Sequence, residues 1–155
     1  MRLIVQRVTS GCVSVQDKIV GKIGKGMVVL VGLHKDENPK NLKTAANKLL
    51  KLRIWDSIPD TSNPEKVIKS WDTNVMENDF ELLIVSQFTL YGTLKGNKPD
   101  FHLAKEASQA KIMFDEFVDI LKKEYKEDKI QTGAFGEYMK VDIEGDGPVT
   151  INIEY

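Results

Sequence analysis

A short apolar run, Leu82-Leu83-Ile84-Val85, gives way abruptly to Ser86, Gln87 and Thr89, with Phe88 among them and Gly92 just beyond. Four successive apolar residues with no polar alternation have the character of a buried strand. A buried strand that ends in hydroxyls and an amide carries donors and acceptors to the rim of a core, where a rigid scaffold can hold a site. Strand-end hydroxyls also commonly satisfy nearby backbone groups. By itself the stretch therefore marks a place rather than a chemistry.

The rest of the chain supplies partners for that strand. Met1–Val8 reads as a strand, with Leu3, Val5 and Val8 as its apolar positions. Val13–Val15 and Ile19–Ile23 read as a hairpin turning through Gln16, Asp17 and Lys18. Gly24 and Gly26 open a turn into Met27–Leu33, the candidate central strand. Asn38 offers a helix N-cap, with Pro39 at the first helical position. From Lys40 to Leu52, Leu42, Ala45, Ala46, Leu49 and Leu50 recur at helical spacing. A second amphipathic helix runs from about Glu106 to Tyr125, with Ala110, Phe114, Phe117, Ile120 and Leu121 near one face.

Leu52–Trp55 is short and extended, and Asp56–Asn74 reads as a surface loop in which Ser57–Pro64 has no assigned role. Tyr91–Phe101 reads as a polar, basic loop beside the strand end. Ile130–Phe135, Tyr138–Ile143 and Val149–Ile153 are extended, and the last alternates as a strand with one wet face does. Strands grouped at both ends with about two helices between them predict an α+β fold. The sheet is antiparallel or mixed and curled toward a barrel, with the helices on one side, in a single domain over residues 1–155.

Composition removes several function classes. A formal net charge of −1 disfavours a protein that wraps a duplex through many phosphates, while leaving room for a small basic patch. The longest apolar run, Met27–Leu33, is too short to cross a bilayer, and the N-terminus lacks a signal-peptide layout. Cys12 is the only cysteine, which excludes an intrachain disulfide and a thiolate metal cage and predicts a cytoplasmic protein. His34 and His102 lie far apart and outside zinc-type spacing, so neither a metal nor a cofactor is expected.

No P-loop and no Gly-x-Ser-x-Gly elbow is present, and neither histidine is placed to serve Ser86 as a base. What remains is a site made of backbone N–H groups, hydroxyls and a shaped pocket. Such a site stabilises an oxyanion and suits a substrate that is already reactive.

The other singular segment is Gly145–Thr150, GDGPVT. Proline cannot donate to a strand ladder, so Gly147-Pro148 reads either as a tight turn or as a cis bond that aims two successive carbonyls the same way.

Together these residues resemble the D-aminoacyl-tRNA deacylase family. Ser86-Gln87-Phe88-Thr89-Leu90-Tyr91 matches its first signature and Gly147-Pro148-Val149-Thr150 its second. Gln6-Arg7-Val8, Lys95-Gly96-Asn97-Lys98-Pro99, and Phe135-Gly136 with Met139 also fall where the family has them, so the similarity spans essentially the whole chain. It departs where Gly145-Asp146 replaces the usual Asn-Asp, and where Asn97-Lys98 stands in place of a frequent arginine.

The resemblance implies a barrel-like homodimer. Its activity would be hydrolysis of the ester joining a D-amino acid, or mischarged glycine, to the 3′-terminal adenosine of tRNA. Ser86, Gln87, Phe88 and Thr89 would line the pocket, with the Phe88 and Thr89 amides facing the ester carbonyl. Gly147 and Pro148 would reach into the partner's pocket, oriented by Arg7, and Phe135, Gly136 and Met139 would lie near the adenosine. Lys95 and Lys98 are candidate phosphate contacts. The substrate's own 2′-hydroxyl would assist water, in place of a Thr89 nucleophile. The resemblance also carries an alternative, a non-catalytic DNA-binding module associated with replication initiation.

Overall fold

The computed structural model describes residues 1–63, 65–66 and 68–155. Of the Ser57–Pro64 stretch, Pro64 lies outside the described residues.

The described residues form eight strands and two α-helices. The strands are β1 (Arg2–Val15), β2 (Lys18–Ile23), β3 (Gly26–Gly32), β4 (Glu81–Ser86), β5 (Thr93–Lys95), β6 (Lys98–Asp100), β7 (Ile130–Thr132) and β8 (Lys140–Glu154). The helices are α1 (Lys40–Leu50) and α2 (Ala107–Glu124). The main sheet runs β2-β1-β3-β4-β7, with β8 also paired to β1. It is mixed: β3–β4 and β4–β7 are parallel, while β1 is antiparallel to β2, β3 and β8. The two ends of this order meet where Gly21 of β2 lies against the Thr132 carbonyl of β7, so the sheet is nearly closed into a barrel.

The apolar runs have a simple cause. Met27, Val29 and Val31 of β3, with Leu82 and Ile84 of β4, face the larger core, packed with Leu42, Ala45 and Leu49 of α1 and Phe114, Phe117 and Leu121 of α2. Val28, Leu83 and Val85 face the second core, inside the curl, with Val8, Val13 and Ile23. A strand covered on both faces has no position for a polar residue, so its pattern is continuous rather than alternating.

At the helix start, Asn38 Oδ1 accepts from the Lys40 N–H at 3.0 Å and Pro39 already has helical dihedrals, as the capping pattern predicts. The N-terminal ammonium of Met1 is buried against the Glu37 carboxylate and also donates to the Tyr155 carbonyl at 2.9 Å, which ties both chain ends to the approach to α1.

Three expectations are corrected. Met1–Val8 and Val13–Val15 are one strand, because β1 changes neighbour midway: it pairs with β3 up to Val8 and with β2 from Gly11. The expected Tyr138–Ile143 piece begins only at Lys140, and from there it runs through Val149–Ile153 as one strand, β8, which follows β1 along its length. Of the two readings of Gly147-Pro148, the structure has the cis bond, carried by a protrusion within that strand. The basic loop after the first motif folds as the β5–β6 hairpin, in which Leu94 faces Pro99 across the ladder.

Candidate active site

The carboxyl end of β4 opens on a cavity of about 600 Å3. Ser86, Gln87 and Phe88 form one side, and Val31, Leu33 and Val85 continue from the core. The facing wall is Phe101, Ala104, Ala107, Ala110 and Phe114, and Phe135, Gly136, Glu137, Tyr138 and Met139 complete the rim. Three alanines at successive points of that wall leave room for a ligand, and Phe101 and Phe135 offer aromatic surfaces of the kind on which a nucleobase stacks. A mostly apolar cleft with a few polar groups at one end is the usual form of a small-ligand site.

The polar end is built by a tight turn. The Gln87 N–H extends the ladder to the Val31 carbonyl at 2.8 Å, after which Phe88–Tyr91 winds as one 3-10 turn. The Leu90 amide returns to the Gln87 carbonyl at 3.3 Å and the Gly92 amide to the Thr89 carbonyl at 2.9 Å. Among the described residues, the Phe88 and Thr89 amides at the start of the turn donate to no protein acceptor. Arg2 pins the far end of the turn: Nη1 donates to the Leu90 carbonyl at 2.5 Å and the guanidinium lies 4.9 Å from the centre of the Tyr91 ring. Burial, and secondarily the Glu37 charge, push the Tyr91 phenol up to about 12, so it stays neutral.

Neither hydroxyl of the motif meets a base among the described residues. Among the described residues no imidazole or carboxylate is hydrogen-bonded to Ser86 or Thr89, and the Thr89 hydroxyl accepts from the Gln87 side-chain Nε2 at 2.5 Å. His34 Nδ1 accepts from the Asp36 amide, and His102 is bound to Asp100. Among the described residues, no group of three or more His, Cys, Asp or Glu side chains could hold a metal.

A second distinctive feature lies on β8. Gln6 faces Thr150 and Val8 faces Gly145, so one residue of β1, Arg7, stands opposite residues 146–149 of β8. The surplus chain bulges outward, with a cis bond between Gly147 and Pro148 and both residues exposed. Proline is tolerated there because the bulge needs no ladder hydrogen bond. Arg7 braces it: Nε donates to the Asp146 carbonyl at 3.1 Å and lies 3.3 Å from its carboxylate, while Nη1 donates to the Ile54 carbonyl at 2.5 Å.

This corner lies apart from the cavity of its own chain. Arg7 pairs with Met27 and Met27 with Leu82, four residues before Ser86, and none of Arg7, Gly147 and Pro148 lines the cavity. That offset alone is roughly 13 Å at the usual rise of a strand.

A family model for D-Tyr-tRNA(Tyr) deacylase matches residues 4–154. This chain belongs to that family. A D-aminoacyl-tRNA deacylase of Plasmodium falciparum is 42% identical in an alignment covering 99% of this chain and 95% of the relative. A solved structure of a c-Myc DNA Unwinding Element Binding Protein superposes with a TM-score of 0.88 at 42% identity, covering 100% of this chain and 99% of that one. Another, described as a "probable eukaryotic D-amino acid tRNA deacylase", has a TM-score of 0.80 at 21% identity over 98% of each chain, a likeness of fold.

Of the residues singled out in the sequence of this deacylase-family member, the cavity gathers Ser86, Gln87, Phe88, Phe135, Gly136 and Met139. Thr89 is exposed on the turn beside it. Arg7, Gly147 and Pro148 form the separate corner. Lys95 and Lys98 lie on the β5–β6 hairpin, where Lys95 is paired with Asp100 at 2.7 Å. Lys95 and then His102 hold the Asp100 carboxyl well below the usual carboxylate range, so Lys95 has a partner within the hairpin. Sequence reasoning missed the cavity wall of Phe101, Ala104 and Ala107, whose only signal is the three-residue spacing of Ala104, Ala107 and Ala110 leading into α2. It also missed Ile54 and Arg2, which act through a carbonyl and on a carbonyl.

Proposed function

We propose that this protein hydrolyses the ester between a D-amino acid and the 3′-terminal adenosine of tRNA, as a homodimer whose two sites are each assembled from both chains. The observation that carries this reading is the division of the site: a cavity at the end of β4 whose Ser86 hydroxyl is hydrogen-bonded to no base among the described residues and, apart from it, an exposed, braced Gly147-Pro148 corner. In a two-fold dimer each corner enters the other chain's cavity.

The chemistry follows from what the cavity holds. An aminoacyl ester is already activated, so lowering its barrier by about 4 kcal/mol gives roughly a thousandfold rate increase. The Phe88 and Thr89 amides supply that stabilisation by donating to the oxyanion of the tetrahedral intermediate. Water attacks with assistance from the substrate's 2′-hydroxyl. Phe135, Gly136 and Met139 hold the adenosine, and Lys98, with Lys95 to a lesser degree, meets the phosphates of the 3′ end. The main-chain carbonyls of Gly147 and Pro148 hold the substrate amino group and leave no room for an L side chain. Glycine has no side chain to exclude and is also cleaved. The reaction belongs to translation in the cytoplasm, where a lone cysteine stays reduced.

Thr89→Ala is expected to retain activity within about tenfold of wild type, because an exposed hydroxyl with no base is not a nucleophile. Single-turnover rates check this; a folded but inactive Thr89→Ala makes Thr89 the nucleophile. The function itself is tested by incubating the protein with matched D- and L-aminoacyl-tRNA. Selective loss of the D form is expected; persistence of both, or equal cleavage of both, contradicts it. The DNA-binding alternative draws on the described relative and predicts salt-dependent duplex affinity. The net charge of −1 weighs against it, and duplex binding that survives blockage of the cavity would favour it.

A further inference from the structure

Trp71 belongs to neither core cluster and is 54% exposed, yet its backbone lies in the left-handed region at φ +59°. A bulky residue adopts that region only where its surroundings over-determine it. The constraint is visible on both sides of the chain here. The Asp72 and Thr73 amides donate to the Trp55 carbonyl at 2.8 and 3.0 Å, and the Ile54 amide donates to the Thr73 carbonyl at 3.1 Å. The Thr73 hydroxyl donates to the Asp56 carbonyl at 2.7 Å. Two arms are thereby clipped together, Ile54–Asp56 and Trp71–Thr73.

Both arms end on Arg7. One presents the Ile54 carbonyl to Nη1 at 2.5 Å, and the other presents the Trp71 indole, whose ring centre is 5.8 Å from Cζ. The same guanidinium holds Asp146 through Nε, and Nη2 stands 3.1 Å from where a Cβ on Gly147 would lie. An arginine is a long side chain with many rotamers, and an indole face attracts its cation while restricting it.

We propose that Trp71 is a positioning residue for handedness selection, holding Arg7 in the one arrangement that fixes the Gly147-Pro148 corner. The proposal rests on the reading that the corner screens the substrate. It gives the long connection between α1 and β4 a purpose: a bracket that reaches across to β8.

The test compares full-length Trp71→Phe, Trp71→Leu and Trp71→Ala with wild type. One readout is the Arg7 Nε–H resonance, which reports whether the guanidinium is held; the other is the ratio of single-turnover rates on D- and L-aminoacyl-tRNA. Trp71→Phe keeps a ring and is expected to preserve both. Trp71→Leu and Trp71→Ala are expected to lose the slowly exchanging Arg7 signal and at least about tenfold of the ratio, through kcat rather than KM. An unchanged ratio in Trp71→Ala, or equal behaviour of the Leu and Phe variants, overturns the role of Trp71 alone. A wild-type protein without preference for D substrates overturns the proposed function and this role together.

Discussion

Alanine at Gly147 is expected to lower the rate on D-aminoacyl-tRNA about 100-fold and to bring the D and L rates much closer, while the protein stays folded. Gly147 has φ +124°, a conformation that an L side chain rarely adopts. Space is also short: an added Cβ would stand 3.0 Å from Val149 Cγ2 and 3.1 Å from Arg7 Nη2. Arg7 is held by the Ile54 and Asp146 carbonyls and Val149 packs against the larger core, so the strain falls on Gly147 and Pro148. A displacement near 1 Å in a positioning group costs on the order of 100-fold in rate. Because the corner is exposed and outside both cores, the change should leave the melting temperature within a few degrees. Single-turnover rates on both substrates, with melting as the control, decide it. A folded Gly147→Ala with wild-type selectivity contradicts the role given to the corner.

Gly26→Ala is expected to act on the fold itself. Gly26 begins β3 between Val8 of β1 and Glu81 of β4, and a Cβ there would overlap the Glu81 carbonyl and crowd its amide. Those atoms are backbone, with no rotamer to relieve the contact. Glu81 is also held to Lys25 by an amide–carbonyl bond of 3.1 Å. Relief requires β3 and β4 to separate, which opens the junction between both cores. A loss of at least about 3 kcal/mol follows, or a melting temperature lower by roughly 6–12 °C for a chain of this size. Thermal unfolding of the purified variant measures this. A midpoint within about 2 °C of wild type would show that the two strands part more easily than this packing allows.

Much of the architecture is legible in residue pattern. Met27–Leu33 and Leu82–Val85 are continuously apolar because alternate residues feed two cores, and Leu42 to Leu50 lie on one helical face because α1 covers only one side of the sheet. What escapes the pattern is tertiary. Nothing local says that β1 trades β3 for β2 after Val8, and so its polar middle reads as a gap between strands. The same holds for β8, where Gly145 to Pro148 reads as a turn although Gln6 and Val8 hold the strand on either side of the bulge. The two motifs are legible as a resemblance. Their physical separation within one chain, and the bracing of Arg7 by a carbonyl 47 positions away, are not.

The central claim is that each site joins one chain's Ser86 cavity to the other chain's Gly147-Pro148 corner, and mixed dimers test it most directly. Chains blocked in the cavity by Ser86→Trp are unfolded and refolded in equal amounts with Gly147→Ala chains, each expected to keep at most about a hundredth of wild-type activity alone. If the corner acts across the dimer, half the dimers are mixed and each regains one intact site, so about a quarter of wild-type D-aminoacyl-tRNA hydrolysis returns. If the mixture stays as inactive as its parents although mixed dimers have formed, the corner does not complete its neighbour's cavity, and the account is contradicted.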